Sequence, residues 1–493
     1  MFVQGSNFQA MHPDYLANAT KWTMIHDVLK GELAVKAKRD VYLPLPNMER
    51  KADASKYKER YQSYLDKAVF YNATARTLAG FVGQVFDKPP KIEIPDELHY
   101  LREDPSGSGV TLEQLAKSVL AGTVSYGRGG IFVDFPETGG TYTVKDVNEG
   151  LVRPTLTYYN TLDILNWRTT KRKAKTLLSL VVLREKIEVE DSNDIFVSQY
   201  QYRYRVLRLS NDKYTVTVHE PWRTQEPRTY TPQDKNGQPF DEIPFVFCGI
   251  SRNDAQVDDA PLYDLAALNI AHYRNSADYE EACFMVGQPT VWYSGLDQDW
   301  IKSVLKNEFR LGSRGGLPLP AGGSAGLLQV ASNTMCKEAM DQKEAQMVAL
   351  GARIVRDPSV AKTATEINSD KVTEISTLAS GARNASAALR KAFEYAQRFI
   401  ANTSKIVFEL STDFDMVRMT SQELLAIVTT WQTGLLATEE VRDIYTRAGY
   451  ATLSMEDAVK KGVQKTPPAP VATEGPTAAR TDNRSAPEGS GSV

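Results

Sequence analysis

Cysteine is scarce in this chain: Cys248, Cys283 and Cys336 are the three in 493 residues, far apart and never as CxxC. That pattern excludes a disulfide framework and a structural zinc site and points to a reducing compartment. Histidine is nearly as rare. The five (His12, His26, His99, His219 and His272) form no HExxH and no pair at metal-coordinating spacing, so no metal and no cofactor is expected. No apolar run approaches the ~20 residues of a membrane span, and no membrane partner is expected. The opening MFVQGSNFQAMHPDY lacks the basic and apolar regions of a secretory signal, so none is expected. Charge excess is missing too, since a net charge of -3 gives the whole chain no reason to grip nucleic acid. There is no internal repeat and no GxxxxGK[ST] phosphate loop. Gly127–Gly130 follows a helical pattern and precedes a strand, the reverse of a phosphate loop, and reads as a turn.

What is present is the composition of a globular protein, 42% apolar and 24% charged. At this length one hydrophobic core does not suffice, and two to four substructures are expected. Residues 1–50 mix short helical patterns with turns and close on YLPLP (Tyr42–Pro46). Lys56–Phe86 reads as one continuous helix, ended by Lys88-Pro89-Pro90. Thr111-Leu-Glu-Gln114 is a capping-box pattern that opens a second helix, followed by the strand signal Gly129–Pro136. Between residues 150 and 250, four Tyr-, Val-, Ile- and Thr-rich stretches alternate with turn clusters and read as one antiparallel sheet. In one of them, QYQYRYRV, alternation predicts an aromatic face and a polar face. Ile243–Ile250 is a further strand. The fold class is therefore α+β.

The stretch Asp258–Met285 organises the rest. Pro261 suits a first helical turn, and Leu262, Leu265, Ala266, Ile270, Tyr273, Ala277 and Phe284 recur at helical spacing. The other face carries Asp258, Asp259, Asp264, Asp278, Glu280 and Glu281 against Arg274 alone. A helix of this length reaches roughly 35 Å, enough to span a small domain. It is either a core helix with a solvated acidic face or a connecting element. Residues 286–333 follow as a compact α/β insertion holding a strand at Pro289–Gly295, a short helix with Trp300 on its apolar face, and a Gly- and Pro-punctuated β segment. A helix back is predicted over Thr334–Ile354, an exposed loop over 355–365, and a very long helix over 366–404 with Thr365 as N-cap and Gly381 as a kink. Ile406–Phe414 reads as a returning strand and 417–463 as two short helices. The Pro-, Gly- and Ser-rich end, 464–493, is expected to be disordered.

Catalytic constellations are few. Gly322-Gly-Ser-Ala-Gly326 matches the GxSxG of serine hydrolases, with Ser324 as the nucleophile. That motif acts at a strained strand-to-helix turn, and here the flanking text is β on both sides, so no enzyme is expected. Arg168, Lys171, Arg172, Lys173 and Lys175 form a basic run that is either a nucleic-acid patch or a solvated hairpin tip. His272 reads as a packing or interface residue.

One ordered series of motifs runs along the whole chain. It comprises His12-Pro-Asp-Tyr15, Trp22, Asp27, Gly31, Val35-Lys36, Tyr42-Leu-Pro44, the block Tyr71–Pro90, Gly315–Gly323, Ala349–Val355 and Thr363–Glu366. Over residues 10–460 this resembles the portal proteins, or head-to-tail connectors, of tailed bacteriophages. The likeness is greatest to the portal-like family catalogued as a phage domain of unknown function.

The resemblance implies a portal fold: a wing over 1–257, a stem of two helices over 258–285 and 334–354, a clip over 286–333 and a tunnel loop over 355–365. The long wing helix and return strand would occupy 366–416, with a short crown over 417–463. It implies a homo-oligomeric ring, usually of twelve copies, at one capsid vertex of the virion, assembled in the host cytoplasm. Double-stranded DNA would pass without sequence specificity during packaging and ejection, and the ring would nucleate capsid assembly. The other implied partners are the terminase large subunit, head–tail adaptor or neck proteins, and the major capsid and scaffolding proteins.

On that reading Asp258, Asp259, Asp264, Asp278, Glu280 and Glu281 are candidates to line the channel. Arg353, Arg356 and Lys362 beside the tunnel loop either touch phosphates or pair with neighbouring acids. Trp292, Trp300, Lys302, Lys306 and Arg310 are clip candidates. A capsid or neck adaptor outside the portal family is the alternative from the same setting.

Overall fold

The computed structural model describes residues 8–45, 54–135, 153–190, 196–234, 236–287, 290–300, 302, 319–328, 334–351, 364–400, 403–412, 421–432 and 435–447. The chain divides into two compact units, Met1–Thr412 and Asp413–Val493.

The first unit opens with helices. In α1 (Pro13–Lys30), Pro13 occupies the first turn, the His12 ring accepts the Asp14 N–H at 3.2 Å, and Gly31 ends the helix at φ 91°. α2 (Glu32–Ala37) follows, and the Tyr42 hydroxyl then donates to the buried Asp27 at 2.7 Å, pinning the chain back onto α1. The helix expected over Lys56–Phe86 is instead two, α3 (Ala54–Lys67) and α4 (Ala73–Val85). The break has a polar cause. Ser276 takes both backbone groups of Val69, donating to its carbonyl at 2.7 Å and accepting from its N–H at 3.1 Å, and Asn72 caps α4 through the Ala75 N–H. α5 (Leu112–Tyr126) carries the predicted capping box of Thr111 and Gln114, with both reciprocal bonds made.

The strands form two main sheets rather than one. β2 (Arg128–Asp134) lies between β3 (Thr155–Asn160) and β9 (Phe245–Gly249), all antiparallel. β4 (Ile164–Arg172), β5 (Lys175–Glu190), β6 (Ser198–Ser210), β7 (Lys213–His219) and β8 (Arg228–Tyr230) make an antiparallel meander in that order. The single predicted sheet splits at Thr161–Asp163. Asn160 accepts the Leu162 N–H at 3.1 Å, and a 3-10 turn carries the chain from one sheet to the other.

α6 (Tyr263–Gly287) leaves β9 through a pinned loop. Beyond it, β10 (Thr290–Ser294) and β11 (Ser324–Leu328) pair as a hairpin, and α7 (Met335–Ala349) returns antiparallel along α6. α8 (Ala364–Phe399) is continuous through Gly381 and begins at Ala364, so Thr365 lies inside it. Gly381 does not interrupt the helix. A Cβ there would meet Ile250 Cδ1 at 2.9 Å, so the residue serves close packing. Ala382, Ala385, Ala388, Leu389, Ala392, Phe393 and Ala396 form the buried stripe that sets α8 against α5, β2 and β9. The return strand shortens to β12 (Val407–Glu409), paired with β1 (Lys91–Glu93).

In the second unit, α9 (Ser421–Gln432) and α10 (Thr438–Arg447) form a helical pair. The Trp431 indole donates to the Thr438 hydroxyl at 3.0 Å. The 355–363 part of the predicted loop and the 464–493 end lie outside the described residues.

Candidate functional site

The acidic helix is shorter at its start than its sequence pattern suggests. α6 begins at Tyr263, and Asp258 and Asp259 lie ahead of it in the loop from β9. Asp258 is buried, with Oδ2 accepting the N–H groups of Ser251 at 2.8 Å and Arg252 at 3.1 Å. Within the subunit Asp258 acts as a loop clamp, because a carboxylate this deep requires donors. Nearby, buried Arg128 donates to the carbonyls of Ala255 and Gln256 at 3.0 and 2.7 Å. Its guanidinium lies against both the Trp167 and Phe247 rings, at 4.2 and 3.9 Å from their centroids. Burial pulls its pKa down to about 9. Asn253 and Asn384 then tie the loop to α8. The root of α6 is thus held on two sides.

The apolar face of α6 is used inside its own chain. Leu265, Ala266, Ile270, Tyr273 and Ala277 are buried, and α6 packs on α1, α3 and α4. A line of polar groups runs through the same stripe. Asn269 accepts from the Thr74 N–H and hydroxyl at 3.2 and 3.0 Å and donates to the Tyr71 carbonyl at 2.7 Å. Ser276 holds Val69, and Arg274 donates to the Tyr42 carbonyl at 2.7 Å. Sequence reading passed over Asn269 and Ser276. Their signal was present: they fall at helical spacing within the stripe of Leu262, Leu265, Ala266, Ile270, Tyr273 and Ala277, where a polar residue needs a buried partner.

The remaining acids divide. Asp259 and Asp264 are exposed; Asp278 accepts the Tyr64 hydroxyl at 2.6 Å; Glu280 and Glu281 are half-buried. Asp264 stands at the rim of a shallow groove between α6 and α7, floored by Ala267, Leu268, Ala271, Ala349 and Leu350. His272 is the buried link across that helix pair, its Nε2 facing Glu344 Oε1 at 3.4 Å. Burial lowers its pKa, and the Glu344 carboxylate opposes that shift without reversing it.

At the far end of the pair, Trp292 is 45% exposed on β10, directly across from Gly326 on β11. A Cβ on Gly326 would come within 2.9 Å of the indole, which is why the second glycine of the GxSxG match is a glycine. Ser324 begins strand β11, and its hydroxyl shares a 2.6 Å hydrogen bond with the Ser294 hydroxyl. Ser324 thus stands at the start of a strand, and its hydroxyl partner among the described residues is another serine. Trp300 ends a single helical turn capped by Asp297, and Lys302 is exposed. Lys306, Arg310, Arg353, Arg356 and Lys362 lie outside the described residues.

A second polar cluster sits where the two sheets meet. Arg205 bridges Asp134 at 2.5 Å and Glu185 at 3.0 Å, Arg203 holds the other Glu185 oxygen at 2.6 Å, and the Tyr159 and Tyr230 hydroxyls complete the set. Burial raises the Asp134 carboxyl above its ordinary value, more than Arg205 offsets. For Glu185 burial acts the same way, but Arg205, Tyr159 and Arg203 together outweigh it and hold the carboxyl low. Each carboxylate oxygen is already engaged, which makes the cluster a clasp between β2 and β6. In QYQYRYRV the polar face is the one turned inward: Arg203 and Arg205 point to this cluster, while Tyr200 and Tyr202 on the aromatic face are 61% and 48% exposed. The basic run maps to the β4–β5 turn, where Arg172 pairs with Asp212 and Asp241.

Fold and site together define an α+β protein built around a helix–hairpin–helix excursion. The family model described as "Domain of unknown function (DUF4055)" matches residues 261–400, from the start of α6 to the end of α8. Among solved structures, the chain is similar to "Neck of empty GTA particle computed with C6 symmetry", at 12% identity and a TM-score of 0.40, covering 77% of this chain and 90% of that one. It is also similar to "Neck of native GTA particle computed with C12 symmetry", at 10% identity and a TM-score of 0.39, covering 76% and 89%. No curated protein matches.

Proposed function

We propose that this chain is one subunit of a ring-shaped channel at a phage capsid vertex, a portal protein through which double-stranded DNA passes during packaging and ejection. The observation that carries the reading is the α6–hairpin–α7 excursion. Two antiparallel helices bracket a small hairpin, and the buried face of α6 is fully used within the subunit, so its acids look outward. Around a symmetry axis, Asp259, Asp264, Glu280 and Glu281 would repeat as rings of negative charge. Such a wall repels phosphate, and translocation needs low friction rather than affinity.

In this role the hairpin, with exposed Trp292, meets the terminase large subunit and later the neck proteins, and the outer body meets capsid and scaffolding proteins. The subunit itself performs no chemistry; nucleotide hydrolysis is the motor's task.

Electron microscopy of the purified protein tests the reading. Rings with a central hole wide enough for a duplex, ~20 Å or more, support it; B-DNA grooves and phosphates set that scale. A strictly monomeric particle at high concentration would sink it. Rings that bind completed capsids but never a terminase would favour the neck-adaptor alternative.

A further inference from the structure

The five-stranded sheet has two chemically opposite ends. β5 pairs with β4 only as far as Leu183, and β6 pairs with β7 only from Tyr204 onward. Beyond those points Glu185–Glu190 and Ser198–Arg203 pair only with each other, so the β5–β6 ribbon projects past its neighbours. A two-stranded ribbon is marginal by itself in water. Here its base is clasped by Arg205 between Asp134 and Glu185, while its outer part exposes Tyr200, Tyr202 and Phe196, the last at 89%. Glu188 and Glu190 on this part carry no ion pair among the described residues.

The other end of β5 is the β4–β5 turn. Lys171, Lys173 and Lys175 are exposed there, and no ion pair among the described residues holds them. Along β5 the two ends are separated by the length of the strand, roughly 50 Å at ~3.3 Å per residue. Within one chain they cannot neutralise each other.

We infer that the acidic, tyrosine-bearing end of the β5–β6 ribbon docks on the basic β4–β5 turn of a second copy of this chain. The partner's lysines meet the Glu188 and Glu190 carboxylates beside the tyrosines, whose ring faces are already covered within the chain by Lys186 at 3.8 Å from Tyr200 and Arg184 at 5.2 Å from Tyr202. Because the two ends are different surfaces, the contact is head-to-tail, and repeating it by rotation closes a ring. The inference rests on the ring reading above and names the contact that would join neighbouring subunits.

Charge reversal at each end tests it, using the full chain. One variant carries Lys171→Glu, Lys173→Glu and Lys175→Glu; the other carries Glu188→Lys and Glu190→Lys. Assembly is read by native mass spectrometry at low ionic strength, with circular dichroism melting to verify that both variants fold. Each variant alone should assemble at least tenfold more weakly than the wild type. An equimolar mixture of the two, and a chain carrying both sets, should recover assembly, because each restores opposite charges across the contact. Single-end variants that assemble like the wild type overturn the inference and leave the ring reading standing. Weakened variants that neither mixing nor combination rescues also overturn it. A wild-type chain that never assembles removes both.

Discussion

The Tyr64 hydroxyl donates to Asp278 Oδ1 at 2.6 Å, joining α3 to the acidic face of α6 across 214 residues of sequence. One of the acids that looks free in the sequence is therefore held by a neighbour in the fold. A hydrogen bond to a carboxylate contributes about 1.5–3 kcal/mol when protected. Asp278 is exposed, so the lower end applies. Tyr64→Phe should lower stability by about 1.5 kcal/mol in urea unfolding, with an unchanged m-value.

Asn269 presents the stronger case. It is fully buried and makes bonds to both Thr74 and Tyr71. Asn269→Ala would orphan the Thr74 N–H, take one of two donors from the Tyr71 carbonyl, which still accepts from the Ala73 N–H, and open a cavity. The expected loss is about 2–4 kcal/mol, seen as a lower urea midpoint.

Two glycines should respond differently to alanine. Gly127 sits at φ 71°, and a Cβ there would meet the Asp259 carbonyl oxygen at 2.3 Å, a backbone atom with nowhere to go. Gly127→Ala should cost about 3 kcal/mol or more, combining left-handed strain with overpacking. At Gly381 the obstacle is the end of the Ile250 side chain, which can turn aside. Helix propensity favours alanine by about 1 kcal/mol, so Gly381→Ala should fall within about 1 kcal/mol of the wild type. Thermal melting of both variants checks the contrast.

His272 gives the α6–α7 pair a pH dependence. Its folded pKa lies below the ordinary 6.5, chiefly through burial. Between the lowered value and 6.5 the unfolded chain therefore binds the extra proton, and stability rises with pH. The contribution is complete above 6.5 and is lost as pH falls toward the folded value. His272→Gln should flatten the fall in melting temperature between pH 7.5 and 5.5 relative to the wild type. Equal slopes in the two proteins would refute this. His12, His26 and His219 are also shifted down, mainly by burial, and remain in both proteins, so the difference isolates His272.

Much of the architecture follows from local pattern. The Thr111–Gln114 box, the alternating Tyr and Val runs, the β10 and β11 segments and the order helix–insertion–helix need only neighbours in sequence, because propensity, capping and periodicity act over a few residues. Other features arise only when distant groups meet. Ser276 breaks the predicted long helix by satisfying Val69, Asp258 withdraws from the acidic face to clamp Ser251 and Arg252, and Arg203 with Arg205 turns the tyrosines of β6 outward. In each case a buried polar or charged group takes the partner that removes its desolvation cost, and that partner lies in another element. The sequence alone settled the acids' number and spacing on α6; tertiary packing decided which of them remain available to solvent.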